Sequence, residues 1–570
     1  MLLYHLKISH FRGIKSLDWY PNGRLLCLIG PNDATKTTIL EAIQLVSLPR
    51  YNAAFTEIDF HKGDTANKIS IEATFGDLPD SLLDELSKFG LLLRGYDTAN
   101  KTLAAAPADG LQKALTVRFE LDASLEPTWV VVNDGDEKRI TWQDRERLGV
   151  NHLGRDIDRH MTWARGSALT RLTDDQAGAP TAQVVATVSR EANRVFNEAP
   201  KKELNDAAAV VATQAALLGA GFKDLKPGLD VSGLSFGSSA FGLQDANVPA
   251  RLWGLGTRRI AALAIQQTGV GADSILLIDE VETGLEPHRV RHLVDCLQNP
   301  EKKPKVKGQV IFTTHSPSAV IPLPIENLRF VRSKNGETTI TEVAPEHQPN
   351  MQRYTRSHSH ALFARKILVC EGATEEGICR GLLDTWCAEH DSVHPTHLGF
   401  VPLNGGGCTS APPVAIELKR LGYEVSMLGD ADEPLNPTEA VLRAAGIPVF
   451  LWDGKMATEE RITADIAIED LQVLINMAVD LLEEGPVHAH IKEFGKIDLG
   501  GEDVDDWLLI YDEADIRTAI GKAAKKGGKG WFKNISLGIS LGKLLGTALP
   551  KVPATPLAKK LKEVTDWIYA

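Results

Sequence analysis

Short apolar runs, each ending in a polar or acidic residue and followed by a stretch with helical period, recur along this chain in two blocks. In the first, LLCLIG (25–30) precedes a helical segment from Lys36 to Val46, and KISIEATF (68–75), ILLIDE (275–280) and QVIFTTH (309–315) supply further strands. Runs that are apolar throughout suit strands covered on both faces, as in a parallel sheet between helix layers. LTVRFEL and TWVVVN add strand-formers, whereas residues 181–220 are alanine-rich with few turn signals, which predicts a helical insertion and a packing surface such as a dimer contact. The second block begins near Ala364: KILVC, a helix from Thr374 to about Glu389, HLGFVPLN, a helix near Pro413 to Leu421, EVSMLGDAD, PVFLWD, and a helix from about Ala467 to Glu484. The pattern predicts an α/β chain in four parts: a first lobe (1–180), a helical insertion (181–222), a second lobe (223–350) and a separate α/β domain (364–570).

Composition bounds this picture. A chain of 570 residues, 43% of them hydrophobic, has material for several cores. No apolar stretch reaches the roughly 18 residues of a membrane span, and MLLYHLKISHFRG turns polar too soon for a signal peptide. The expectation is a cytoplasmic protein with no membrane partner. Six cysteines without CxxC spacing, Cys27 and Cys370 among them inside apolar runs, read as reduced core thiols. A net charge of −13 excludes coating of nucleic acid through the overall field, so any such contact belongs to local patches. One comprises Arg353, Arg356, Arg365 and Lys366. The other comprises Lys522, Lys525, Lys526, Lys529 and Lys533, interleaved with glycines and with Trp531 and Phe532. Phosphate contact and a solvated helix end explain these charges equally well; His347, His358 and His360 read as solvated linker residues.

Chemistry enters with Gly30-Pro-Asn32-Asp33-Ala-Thr-Lys36-Thr37-Thr38, a loop between strand and helix that matches the P-loop at Gly30, Lys36 and Thr37. Such a loop cradles phosphate with backbone N–H groups; its lysine neutralises the β and γ oxygens and its threonine ligates Mg²⁺. Thr35 stands where the pattern has its second glycine, and a β-branched residue resists the positive φ required there. Asp279 and Glu280 close ILLIDE, the pairing in which an aspartate holds Mg²⁺ and a glutamate polarises water. His315 ends QVIFTTH in a position to sense a γ-phosphate. Trp253-Gly-Leu-Gly256-Thr-Arg-Arg259 opens an apolar helix whose N–H groups suit another phosphate.

In the second block Glu371-Gly-Ala-Thr-Glu375 and Asp430-Ala-Asp432 each follow an apolar run, so their carboxylates collect at strand ends, suited to Mg²⁺. Asp430 and Asp432 lie two apart and face the same way; Glu375, one helical turn after Glu371, leans toward the same place. Glycines 405–407 serve either a tight turn beside that place or a plain turn.

The first block, with HFRGIKSLDW at its start, resembles the ABC-type ATPase heads, and the second resembles the Toprim fold. The two in this order, with EGATEE and DAD, look like the OLD (overcoming lysogenization defect) nuclease family, which includes the Gabija nuclease subunit and retron-associated effectors. That resemblance implies an endonuclease that cuts DNA with Mg²⁺ or Mn²⁺ at the Toprim site, in anti-phage defence, with ATP and Mg²⁺ at the P-loop. It implies a homodimer or higher homo-oligomer through the ATPase halves, and a partner protein or nucleic acid of a defence system. It transfers metal or catalytic roles to Glu371, Glu375, Asp430, Asp432, a later acid at Glu469 or Asp470 (Glu469 preferred) and Lys533. Nucleotide roles fall on Gly30, Asn32, Asp33, Lys36, Thr37, Thr38, Gly256, Asp279, Glu280 and His315. A ribonuclease acting on RNA such as tRNA and a non-cleaving, nucleotide-gated DNA-binding scaffold are the alternatives, and Thr35 predicts slow or absent ATP turnover.

Overall fold

A computed structural model describes residues 1–48, 54–154, 157–162, 243–245, 248–268, 274–299, 308–498 (431 and 483 excepted), 504–526 and 530–570, with scattered positions between 169 and 209. The predicted insertion at 181–222 lies almost wholly outside these residues. The chain forms two compact units. One comprises Met1–Leu28, Thr35–Pro322 and Ser333–Thr339; the other comprises Ile29–Ala34, Leu323–Arg332 and Ile340–Ala570. The second therefore takes in residues ahead of 364, including the helix Gln348–Ser357.

In the first unit, β1 (Leu2–Phe11), β2 (Ile14–Trp19) and β3 (Leu25–Ile29) lead into α1 (Lys36–Val46). Strand β4 (Ile69–Gly76) follows, then β5 (Gln112–Leu121) and β6 (Thr128–Asn133). These form an antiparallel run in the order β2-β1-β4-β5-β6. After β7 (Val150–Leu153) come α2 (Leu255–Thr268), β8 (Ile275–Ile278), α3 (Pro287–Gln298) and β9 (Val310–Thr313). Strands β7, β8, β9 and β3 are parallel neighbours. Every residue of β8 and β9 is buried, which is why both read as unbroken apolar runs. The carboxyl ends of β3, β8 and β9 accordingly deliver the loops after Ile29, Ile278 and Thr313 to one edge, where ligands of parallel sheets bind.

The second unit opens with α4 (Gln348–Ser357) and β10 (Lys366–Cys370), followed by α5 (Ala373–Gly381). Next come β11 (Phe400–Asn404), α6 (Ala411–Arg420), β12 (Glu424–Gly429) and β13 (Val449–Leu451). Helices α7 (Thr458–Asp465), α8 (Ile468–Leu482), α9 (Glu513–Lys526), α10 (Ile535–Ala548) and α11 (Pro556–Tyr569) complete it. The four strands are parallel in the order β11-β10-β12-β13. Strand order reverses between β10 and β12, so the crevice of this doubly wound sheet opens at their carboxyl ends.

The helix expected from Thr374 to Glu389 is two helices, α5 and Leu383–Glu389, meeting at Leu382. Helix α5 lies against α10 backbone to backbone. A side chain on Gly377 would stand 2.5 Å from the Gly538 Cα, and one on Gly542 would stand 2.4 Å from the Ile378 carbonyl oxygen. Glycine is required at this crossing because nothing larger fits between the two backbones. That contact, and a core containing Leu368, Ile378, Trp507, Trp531, Phe532 and Leu541, hold the start of α5 against the sheet edge.

Candidate active site and nucleotide-binding loop

The loop after β3 accommodates Thr35 in left-handed backbone. Thr35 adopts φ 64 and Asp33 φ 63, the left-handed region that costs a β-branched residue on the order of 1–2 kcal/mol. The Thr35 hydroxyl is within hydrogen-bond distance of the Thr338 hydroxyl, 3.2 Å away. Asn32 and Asp33 are exposed on the loop; Lys36 is buried at the start of α1, followed by the half-buried Thr37 and Thr38. Thr37 donates to both oxygens of Asp279, at 3.0 and 3.2 Å, and Thr313 donates to the same carboxylate at 2.8 Å. Glu280, at φ 47, is held by its N–H on the Thr313 hydroxyl (2.7 Å) and by Arg259 on its carbonyl oxygen (2.8 Å). The His315 N–H donates to Glu282 at 2.6 Å, and partial burial, with Lys36 nearby, lowers the affinity of its imidazole for a proton. Gly256 packs on the Gly284 carbonyl oxygen of the TGLEPH segment, where an added side chain would come within 2.3 Å.

The second site is built at the switch point. Glu371 leaves β10 with its N–H on the Leu428 carbonyl (2.8 Å), and its Oε2 accepts the Asp430 N–H at 2.9 Å. The end of β12 thus fixes the acid that leaves β10. Burial, with Glu375 and Asp432 close by, raises the Glu371 carboxyl to about 7. Burial, then Glu375, also raises the Asp430 carboxyl well above the ordinary carboxylate range. Glu375 caps α5, its Oε2 accepting the Gly372 N–H at 2.9 Å.

The Thr458 hydroxyl lies between Glu375 and Asp430, within hydrogen-bond reach of both, and accepts the Trp452 indole N–H at 2.7 Å. A hydroxyl has one hydrogen to give. With Thr458 donating to Glu375, its contact to Asp430 is satisfied only by a proton on Asp430, which agrees with the raised affinity there. Without a metal, the raised proton affinity falls on Asp430.

Asp432 pairs with Lys525 at 3.0 Å, and Lys525 also reaches Glu460 at 3.3 Å. Glu459 is buried and raised to about 7, by desolvation first and Glu375 next, while Lys533 and Lys525 act against that rise. The structure thus gathers Glu371, Glu375, Asp430 and Asp432 with Lys533 near Glu459, and adds Glu459, Glu460, Thr458 and Lys525. It does not bring Glu469 in. Glu469 is exposed on α8, and its neighbour Asp470 pairs with Lys551 at 2.6 Å. The acid the structure does bring beside Glu375 is Glu459, at the start of α7, the helix that follows β13. The signal was TEE directly behind PVFLWDGKMA, an acidic helix start after a buried strand.

As they stand, no three carboxylate, histidine or cysteine side chains among the described residues converge to hold an ion. The donor chemistry nonetheless fits a divalent cation: buried carboxylates that hold a proton for want of positive charge are the groups that exchange it for a metal. Among the described residues, no helix is long and apolar enough to cross a membrane.

Residues 191–320 match the family described as AAA domain, putative AbiEii toxin, Type IV TA system. The chain is 25% identical over 399 residues to OLD nuclease of Thermus scotoductus (strain ATCC 700910 / SA-01), covering 65% of this chain and 72% of that protein. Among solved structures, the Smc head domain with an extended coiled coil bound to the C-terminal domain of ScpA, derived from Pyrococcus furiosus, is 13% identical. That match covers 62% of this chain and 99% of the other, with a TM-score of 0.36. The recombination mediator protein RecF-ATPrS is also 13% identical, covering 59% of this chain and 97% of the other, with a TM-score of 0.32.

Proposed function

We propose that this relative of the OLD nucleases is an endonuclease that cuts DNA with divalent metal ions under the control of a nucleotide-binding, ABC-type ATPase head. The observation that carries the reading is the set of acids at the switch point, Glu375 and Asp430 around Thr458 and Glu371 on the Asp430 N–H, with Asp432 and Glu459 beside them. Glu371, Asp430, Asp432 and Glu459 would hold the metal, and Glu375 would keep the set aligned through Thr458. Bound Mg²⁺ or Mn²⁺ supplies charge relief at the scissile phosphate and an activated water. Lys525 and Lys533 add cationic charge for the phosphate oxygens once Lys525 releases Asp432 and Glu460. At the other site Lys36 and Thr37 would meet the phosphates of ATP, and Thr37 with Asp279 would hold its Mg²⁺. Assembly through the ATPase halves and a role in phage defence, with a partner protein or nucleic acid, complete the proposal.

The test is nicking of supercoiled plasmid DNA, with an RNA substrate at matched salt in parallel, in Mg²⁺, Mn²⁺ or EDTA. The parent should cut DNA only with metal, and Glu371→Gln and Asp430→Asn should each lose about a hundredfold or more. Undiminished nicking by both variants sinks the reading; cutting of RNA alone moves it to the ribonuclease alternative.

A further inference from the structure

Beside the acids lies a cationic edge that the proposed chemistry does not use. Helix α4 ends in Arg353, Tyr354 and Arg356, and His358 and His360 follow. The Tyr354 hydroxyl donates to the Gly405 carbonyl oxygen at the start of the glycine loop after β11. That loop is fixed to the candidate centre: Gly405 N–H donates to the Cys370 carbonyl at 2.7 Å and Gly407 N–H to the Glu371 carbonyl at 2.8 Å. Between them, a side chain on Gly406 would stand 3.6 Å from the Arg353 guanidinium. Arg353 is therefore two short steps of backbone from Glu371.

The rest of the edge is cationic or proton-donating. The His358 and His360 rings are 6.2 Å apart; burial, with Arg380 close to both, lowers their affinity for a proton, and an imidazole donates through an N–H in its neutral form as well. Arg380 is engaged by Glu376 at 2.7 Å. Arg353 is exposed, and no carboxylate pairs with it among the described residues. The other two members of the sequence patch go elsewhere. Lys366 donates to the Trp567 and Ile568 carbonyls, and Arg365 packs near Gly399, at the opposite end of β10 from Glu371.

We propose that Arg353, with His358 and His360, binds the phosphodiester backbone of the substrate strand next to the cut site. In a chain of net charge −13, an exposed unpaired arginine beside a carboxylate centre is where a polyanion gains most. This rests on the nuclease reading above. The glycine loop orients Arg353 but offers no anion cradle of its own, since its three N–H groups are already bonded: Gly405 to Cys370, Gly407 to Glu371 and Gly406 to the Asn404 side chain at 2.9 Å.

The test measures binding of a fluorescein-labelled DNA duplex to the full chain by anisotropy in Ca²⁺, across a salt series, alongside plasmid nicking in Mg²⁺. Arg353→Ala should weaken binding about tenfold and lower the salt slope by about one. Arg353→Glu should weaken it further, Arg353→Lys should restore most of it, and Arg365→Ala should behave as the parent. His360→Ala, which leaves the helix anchor intact, gives a smaller loss and guards against a folding artefact at Arg353. A parent that nicks DNA while Arg353→Glu and His360→Ala keep its affinity and salt slope overturns this inference alone. A parent that neither binds nor cuts overturns it together with the nuclease reading.

Discussion

Thr35 shows how one residue carries a loop. Its left-handed backbone was expected to be resisted, and the chain adopts it anyway, with the Thr35 and Thr338 hydroxyls paired. Thr35→Val, which keeps the strain and loses that bond, should cost about 1 kcal/mol of stability, whereas Thr35→Gly, which drops both, should stay within about 1 kcal/mol of the parent. Thermal melts decide this, and a valine variant as stable as the parent rejects the hydroxyl pair as an anchor. At the acids, Glu371 and Glu459 bind protons more tightly when folded, each raised to about 7 from an ordinary 4.5. Between those values the unfolded chain ionises first, so metal-free stability falls as pH rises through the window. The melting temperature without metal should therefore drop between about pH 5 and pH 8, and Glu371→Gln should flatten the drop; a profile rising over that range would contradict the assignment. Glu371 and Asp430 were legible because each follows a buried strand. Glu459 was not, because its role depends on which helix meets the sheet edge.

At the scale of elements, the parallel strands were readable since burial on both faces leaves them uniformly apolar. Helix α7 escaped for the opposite reason. Thr458, Glu459, Arg461, Thr463 and Asp465 are all buried, so no apolar stripe marks it; Arg461 pairs with Asp465, and Asp465 also accepts the Leu557 N–H at 2.7 Å. The α5–α10 crossing was equally silent, because glycine at helix positions reads as a breaker rather than as a contact. Gly538→Ala should destabilise the chain by about 1–3 kcal/mol through overpacking against Gly377 and the Thr374 carbonyl. Denaturant unfolding measures this. The exposed Ser536→Ala on the same helix is the reference, and equal midpoints would remove the crossing as a constraint.

For the whole molecule, both sites sit at carboxyl ends of parallel strands, the arrangement anticipated from the runs of apolar residues closed by polar ones. What the chain order did not reveal is where the second unit starts. It gathers residues from Ile340 onward, so a helix read as linker belongs to it. The nucleotide site, with Thr35 and Glu280 both at positive φ, should bind ATP and turn it over slowly. Fast steady-state hydrolysis by the purified chain, abolished in Lys36→Ala, would refute that.

The glycine crossing also has a temporal meaning. Glu371 and Glu375 leave the ribosome long before residues 535–548, yet the helix bearing Glu375 meets its glycine crossing partner only in that late segment. A growing chain thus carries its acids before the glycine crossing can form, and that crossing closes only once residues 535–548 have emerged. If the proposed nuclease reading holds, translation itself is an interval during which this chain cannot yet cut.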